Sequence, residues 1–110
     1  MRRTLLTDFE LMLLLAVLRL ERDAYGVSIA REIEMVAGRV ALLGAIYATM
    51  DRLEAAGLVE SQLGESTPER GGRAKRYFRV TRDGVRAVKS TRRALTALWT
   101  NIPALEGGRP

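Results

Sequence analysis

The 110-residue chain contains no cysteine and no histidine. The first absence rules out disulfides and thiolate metal sites, and the second removes the commonest general base and the imidazole metal ligand. Ser28, Ser61, Ser66 and Ser90 stand in no nucleophile motif and beside no recognisable activating base. An enzyme is therefore not expected, nor is a cofactor or a metal. Long hydrophobic runs are missing as well. The apolar stretch LMLLLAVL, residues 11–18, is too short to span a bilayer. Arg2 and Arg3 precede it in the manner of a signal peptide, but Asp8 and Glu10 interrupt it and no small-residue cleavage site follows. The expectation is a cytoplasmic protein with no membrane partner.

With 47% hydrophobic and 28% charged residues, the composition fits one globular domain whose modest core would gain from dimerisation. The formal charge of +5 is unevenly distributed: residues 1–24 are neutral, 25–57 carry −1, 58–80 carry +2 and 81–110 carry +4. Between Arg70 and Arg93 ten cations face Asp83 alone. That concentration suits a polyanion, and a solvated cationic face is the alternative.

Thr7 and Glu10 form a capping box ahead of a first helix, apolar nearly all round and ending near Arg22. A second helix follows in YGVSIAREIEMVAG, with Ile29, Ile33 and Val36 at helical spacing and Gly38 as a left-handed cap. A third is expected over 41–56, with Leu42, Leu43, Ile46, Met50 and Leu53 on its apolar arc and Gly57 closing it. LVESQLG and AKRYFRV read as two strands separated by the polar turn ESTPERGGR. Thr81 can cap a last helix reaching about Ile102. Three helices, a hairpin and a helix give a mainly α (α+β) class: a winged helix-turn-helix over 1–80 with a C-terminal dimerisation helix and tail over 81–110.

On the third helix, Gly44, Ala48, Asp51 and Ala55 lie opposite the apolar arc, with Tyr47 and Arg52 on its shoulders. Small residues there let the backbone enter a DNA groove closely, or press against another protein helix. With few long polar side chains, specificity would rest on phosphate positioning and DNA shape, and Arg52 and Tyr47 are the candidates for direct contact. The alternatives are an intrahelical pair for Arg52 and a core edge for Tyr47. Asp51 is best explained by pairing with a neighbouring cation.

The segments YGVSIAREIE, LLGAIYATMDRLEAAGLVES and GGRAKRYFRVTRDG together resemble the DNA-binding domain of PadR-type transcriptional regulators, over roughly residues 8–86. Tyr25, Gly26, Ile46, Tyr47, Arg52, Leu53, Glu54, Gly57 and Leu58 match the helical part of that pattern, and Gly72, Arg73, Lys75, Tyr77, Val80, Thr81 and Gly84 the wing. Ala45 departs from the Ser or Thr frequent in the family, and Asp51 from Lys or Arg. The DNA-contacting set this implies is Tyr25, Gly44, Ala45, Tyr47, Ala48, Arg52, Arg73, Lys75 and Tyr77. The resemblance further implies a homodimeric repressor of the short kind, binding a palindromic operator in double-stranded DNA. A winged helix that binds protein instead is the alternative.

In the last helix Val85, Val88, Arg92, Leu95, Trp99 and Ile102 follow a three-and-four step, a coiled-coil seam for dimerisation. Arg92 either sets its register or snorkels out past it. The resemblance implies that flat apolar effectors can bind between subunits, which makes Leu95 and Trp99 candidate ligand contacts. The alternative is that Trp99 fills the dimer core.

Overall fold

A computed structural model describes residues 5–66 and 74–106. The elements are α1 (Asp8–Leu20), a 3-10 turn (Glu21–Asp23), α2 (Gly26–Ala37), α3 (Leu43–Ala55), β1 (Val59–Ser66), β2 (Ala74–Val80), α4 (Arg82–Trp99) and a closing 3-10 turn (Pro103–Leu105). This is the winged helix-turn-helix read from the sequence. The loop expected between the strands, with Gly71, Gly72 and Arg73, lies almost wholly outside the described residues.

The Thr7 hydroxyl accepts the Glu10 N–H at 3.1 Å, and the Glu10 carboxylate accepts the Thr7 N–H at 2.8 Å. α1 then runs through the middle of the molecule, in contact with α2, α3, β2 and α4. Its covered side buries Leu13, Leu14, Ala16 and Val17, which pack with Ile29 and Ile33 of α2, with Ile46, Met50 and Leu53 of α3, and with Val59 and Phe78 of the hairpin. The expected all-round burial of α1 is not found. Leu15 and Leu18 stay exposed because its neighbours leave one side open.

Three other expectations change. Val36 is exposed, since α2 buries only Gly26, Ile29 and Ile33. Leu42 precedes the first turn of α3 as its N-cap and points away from the core, and Leu43 is exposed too. The place on the buried arc falls instead to Thr49, spaced three residues from Ile46 and four from Leu53. α4 stops at Trp99: Thr100 turns to extended backbone and Asn101 adopts a φ of 61°, which carries Ile102 off the helix and out of the expected seam.

β1 and β2 pair antiparallel in the register Val59 to Val80 and Ser61 to Phe78. A short bridge from Tyr25 to Tyr77 lengthens the sheet, and the Phe78 N–H donates to the Ala24 carbonyl at 2.8 Å. Where the hairpin meets α4, the Gly84 N–H donates to Thr81 Oγ1 at 3.0 Å, and that hydroxyl donates to the Gly57 carbonyl at 2.7 Å. The Thr81 N–H reaches the Leu58 carbonyl at 3.0 Å. Gly57 has a φ of 81°, so the chain reverses after α3 where most side chains would be strained.

Gly84 admits no side chain: a Cβ there would sit 2.2 Å from the Leu58 carbonyl oxygen and 2.6 Å from Val80. Because the obstacle includes backbone, Gly84→Ala should cost about 1–3 kcal/mol of stability. The measurement is equilibrium denaturant unfolding, and an unchanged midpoint would contradict the close approach.

Candidate nucleic-acid interface

A helix enters a groove closely only where no bulky side chain holds its backbone away. Gly44, Ala45, Ala48 and Ala55 are all exposed on α3 and form such a surface. Tyr47 does not share it. Its ring packs against the core and lies 6.5 Å from the Phe78 ring, while its hydroxyl fills the space beside Gly26, where a Cβ would come within 2.3 Å. Arg52 is exposed but lies along its own helix, donating to the Thr49 hydroxyl at 3.1 Å. Tyr47 thus sits at the edge of the core, and Arg52 makes an intrahelical bond while its side chain stays exposed.

Strand alternation divides the hairpin's polar residues between two faces. On one, Lys75, Tyr77 and Tyr25 gather: the tyrosine rings meet edge to face at 5.6 Å, and the Lys75 ammonium sits 4.1 Å above the Tyr25 ring. Tyr77 also lies over Gly64, where a Cβ would come within 2.7 Å of its ring, so this half-buried side chain works as a joint of the wing. Arg73 lies outside the described residues. The other face carries Arg76, Phe78 and Val80. Arg76 donates to Asp51 at 3.0 Å and to Glu54 at 2.8 Å while stacking 4.8 Å from the Phe78 ring. The base of the wing is thereby tied to the exposed flank of α3.

At the far end, α4 has little to lean on. Thr91 is buried and accepts the Leu6 N–H at 3.0 Å, and Val88 packs on the core. Beyond Thr91 every residue of the helix except Ala94 is exposed. Leu95, Leu98 and Trp99 are 42%, 72% and 65% exposed, and Arg92 points to solvent. Among the described residues no three carboxylates gather to hold a metal, and no described helix is long and apolar enough to cross a membrane.

The PadR-like family model matches residues 14–90, well over half of the chain. The chain belongs to the PadR-like family of transcriptional regulators. Its fold is similar to that of a transcriptional regulator from Clostridium thermocellum, 23% identical over 89% of this chain and 92% of that one, with a TM-score of 0.70. A PadR-like regulator from Bacillus cereus is 20% identical over 92% and 93% of the two chains, also at 0.70. A PadR family regulator from Eggerthella lenta is 24% identical over 86% and 83%, at 0.64. No curated protein matches the chain at a significant level.

In this PadR-like chain the Arg76 network is the part that sequence reading missed. Only the neighbouring-cation reading of Asp51 pointed at it; the further signal was a cation alternating onto the same strand face as buried Phe78, which implies an anionic partner nearby. Glu54 also accepts the Ser61 hydroxyl at 2.8 Å. That bond, followed by the one from Arg76, holds the Glu54 carboxyl below its ordinary value of 4.5. Partial burial works against the Arg76 cation, but its bonds to Asp51 and Glu54 outweigh this and raise its pKa.

A carboxyl with a depressed pKa in the folded state stabilises the fold above its unfolded value, and the contribution fades as pH falls through the folded value. Glu54→Gln should therefore lower the thermal midpoint at neutral pH, with the gap from the parent closing below the ordinary carboxylate value of 4.5. Thermal melts from pH 7 to pH 3 check this; a gap independent of pH would show that the charge is immaterial.

Proposed function

We propose that the protein is a homodimeric, sequence-specific DNA-binding repressor, with residues 1–80 as the DNA-binding unit and 81–110 as the dimerisation helix and tail. The observation that carries this reading is the bare exposed face of α3 held beside the base of a basic hairpin. Gly44, Ala45 and Ala48 allow close approach to a major groove, while Lys75 and Arg73 serve the phosphates. Arg76 is committed to Asp51 and Glu54 and holds the wing in place. Paired heads about one helical turn apart favour a palindromic operator.

Exposed Leu95, Leu98 and Trp99 support pairing through α4, because each large apolar side chain transferred from water contributes about 1.5–3 kcal/mol. Val85 and Val88 lie nearer the core end of the same helix and are already half covered. An apolar, planar effector fits between the subunits at Leu95 and Trp99, where it would release the operator by changing the spacing of the heads.

Removing either wing cation, by Arg73→Ala or Lys75→Ala, should weaken binding to duplex DNA and reduce the slope of log affinity against log salt by about one for each phosphate no longer neutralised. Fluorescence anisotropy over a salt series measures both; an unchanged slope in both variants removes the wing from the interface. Absence of any binding to random duplex at low salt would favour the protein-binding alternative. Planar aromatic compounds should alter the fluorescence of Trp99, the sole tryptophan, at saturable concentrations. A flat response across a varied panel would eliminate the sensor role while leaving the regulator intact.

A further inference from the structure

The turn between α2 and α3 exposes large apolar side chains that the core does not use. Val40 and Leu42 are 70% and 73% exposed, and Met35, Val36 and Leu43 are exposed with them. One surface leucine means little, but five large apolar side chains between residues 35 and 43 mark a contact surface. In the chain Leu42 and Leu43 run directly into Gly44 and Ala45 of the bare α3 surface, and the polar side chains of that helix have partners within the fold. Tyr47 rests against Gly26, Arg52 donates to Thr49, and Asp51 holds Arg76. The N-cap Leu42 offers no side-chain hydrogen bond, and Leu43, Gly44 and Ala45 bring no side-chain donor or acceptor.

A base pair's major-groove edge offers hydrogen-bonding atoms and a single apolar group, the C5-methyl of thymine. Of these, only the methyl is complemented by the side chains at the head of α3. We propose that Val40 and Leu42, with Leu43 and Ala45 beside them, read thymine C5-methyl groups in the major groove, so that this end of α3 selects thymine by apolar contact. The inference rests on reading α3 as the groove-entering helix. The adjacency of Leu42 and Leu43 to Gly44 and Ala45 in the chain, together with the net charge of +5, favours duplex DNA over an apolar protein partner.

The test starts from duplexes enriched out of a random-sequence pool by the full-length protein. The best binder is remade with deoxyuridine in place of every thymidine, which deletes the methyl groups and keeps the base pairing. Affinity for the uracil duplex should fall about fourfold for each methyl group that the protein covers. Leu42→Ala should weaken binding to the thymine duplex and leave the uracil duplex little affected, so that the two effects do not add. Leu42 is largely exposed, so the variant should keep its fold; if its thermal melt shows otherwise, Val40→Ala takes its place. Equal affinity for thymine and uracil duplexes overturns the proposal and leaves DNA binding standing. So does a thymine preference that the variant retains in full. If no duplex is enriched and none binds at low salt, the DNA-binding reading itself falls, and the proposal with it.

Discussion

The Thr81 hydroxyl bridges the start of α4 and the turn after α3, donating to the Gly57 carbonyl while accepting from Gly84. Its backbone N–H meanwhile binds the Leu58 carbonyl. One residue thus fixes where α3 ends, where β1 begins and where α4 leaves β2. Gly84 makes the arrangement rigid, because α4 packs onto the Leu58 backbone with no room for a methyl group. The orientation of α3 against the hairpin, and of both against α4, depends on this small polar knot.

A second tie acts at the side of the same unit. Arg76 holds Asp51 and Glu54, so two carboxylates that would repel phosphate share one cation of the wing, which offsets half of their charge. This explains how an acidic residue is tolerated on the exposed flank of the helix proposed to meet DNA. It also removes Arg76 from the cations free for phosphate. On the opposite face Lys75 is half-buried, with its ammonium held over the Tyr25 ring.

The order and type of every major element were legible in the sequence because capping and periodicity are local: Thr7, Gly38, Gly57 and Thr81 each mark the boundary they were expected to mark. Phase errors arose where composition outran geometry. Leu42 and Val36 are apolar at plausible spacing, yet one precedes its helix and the other faces away from α1. Ile102 continues a numerical repeat past the point where Asn101 ends the helix. In the site, the bare face of α3 was visible from residue spacing alone. The engagement of Tyr47 by Gly26, of Tyr77 by Tyr25 and of Arg76 by Glu54 depends on contacts between distant segments, which no local pattern encodes.

The distribution of rigidity along α4 bears on how such a regulator would respond to an effector. The first three turns are anchored: Gly84 against Leu58, Val88 on the core, Thr91 to the Leu6 backbone. Beyond Thr91 the helix touches little of its own chain, and its apolar side chains stand free. A ligand acting at Leu95 and Trp99 of the proposed dimer would therefore find nothing within one head to rearrange. Its effect would pass along a stiff helix into a unit locked at Thr81, and each wing would move together with its own α3. Operator affinity would then change through the distance and angle between two intact heads, since a binding energy of a few kcal/mol is better matched to repositioning rigid bodies than to breaking the knot that joins them.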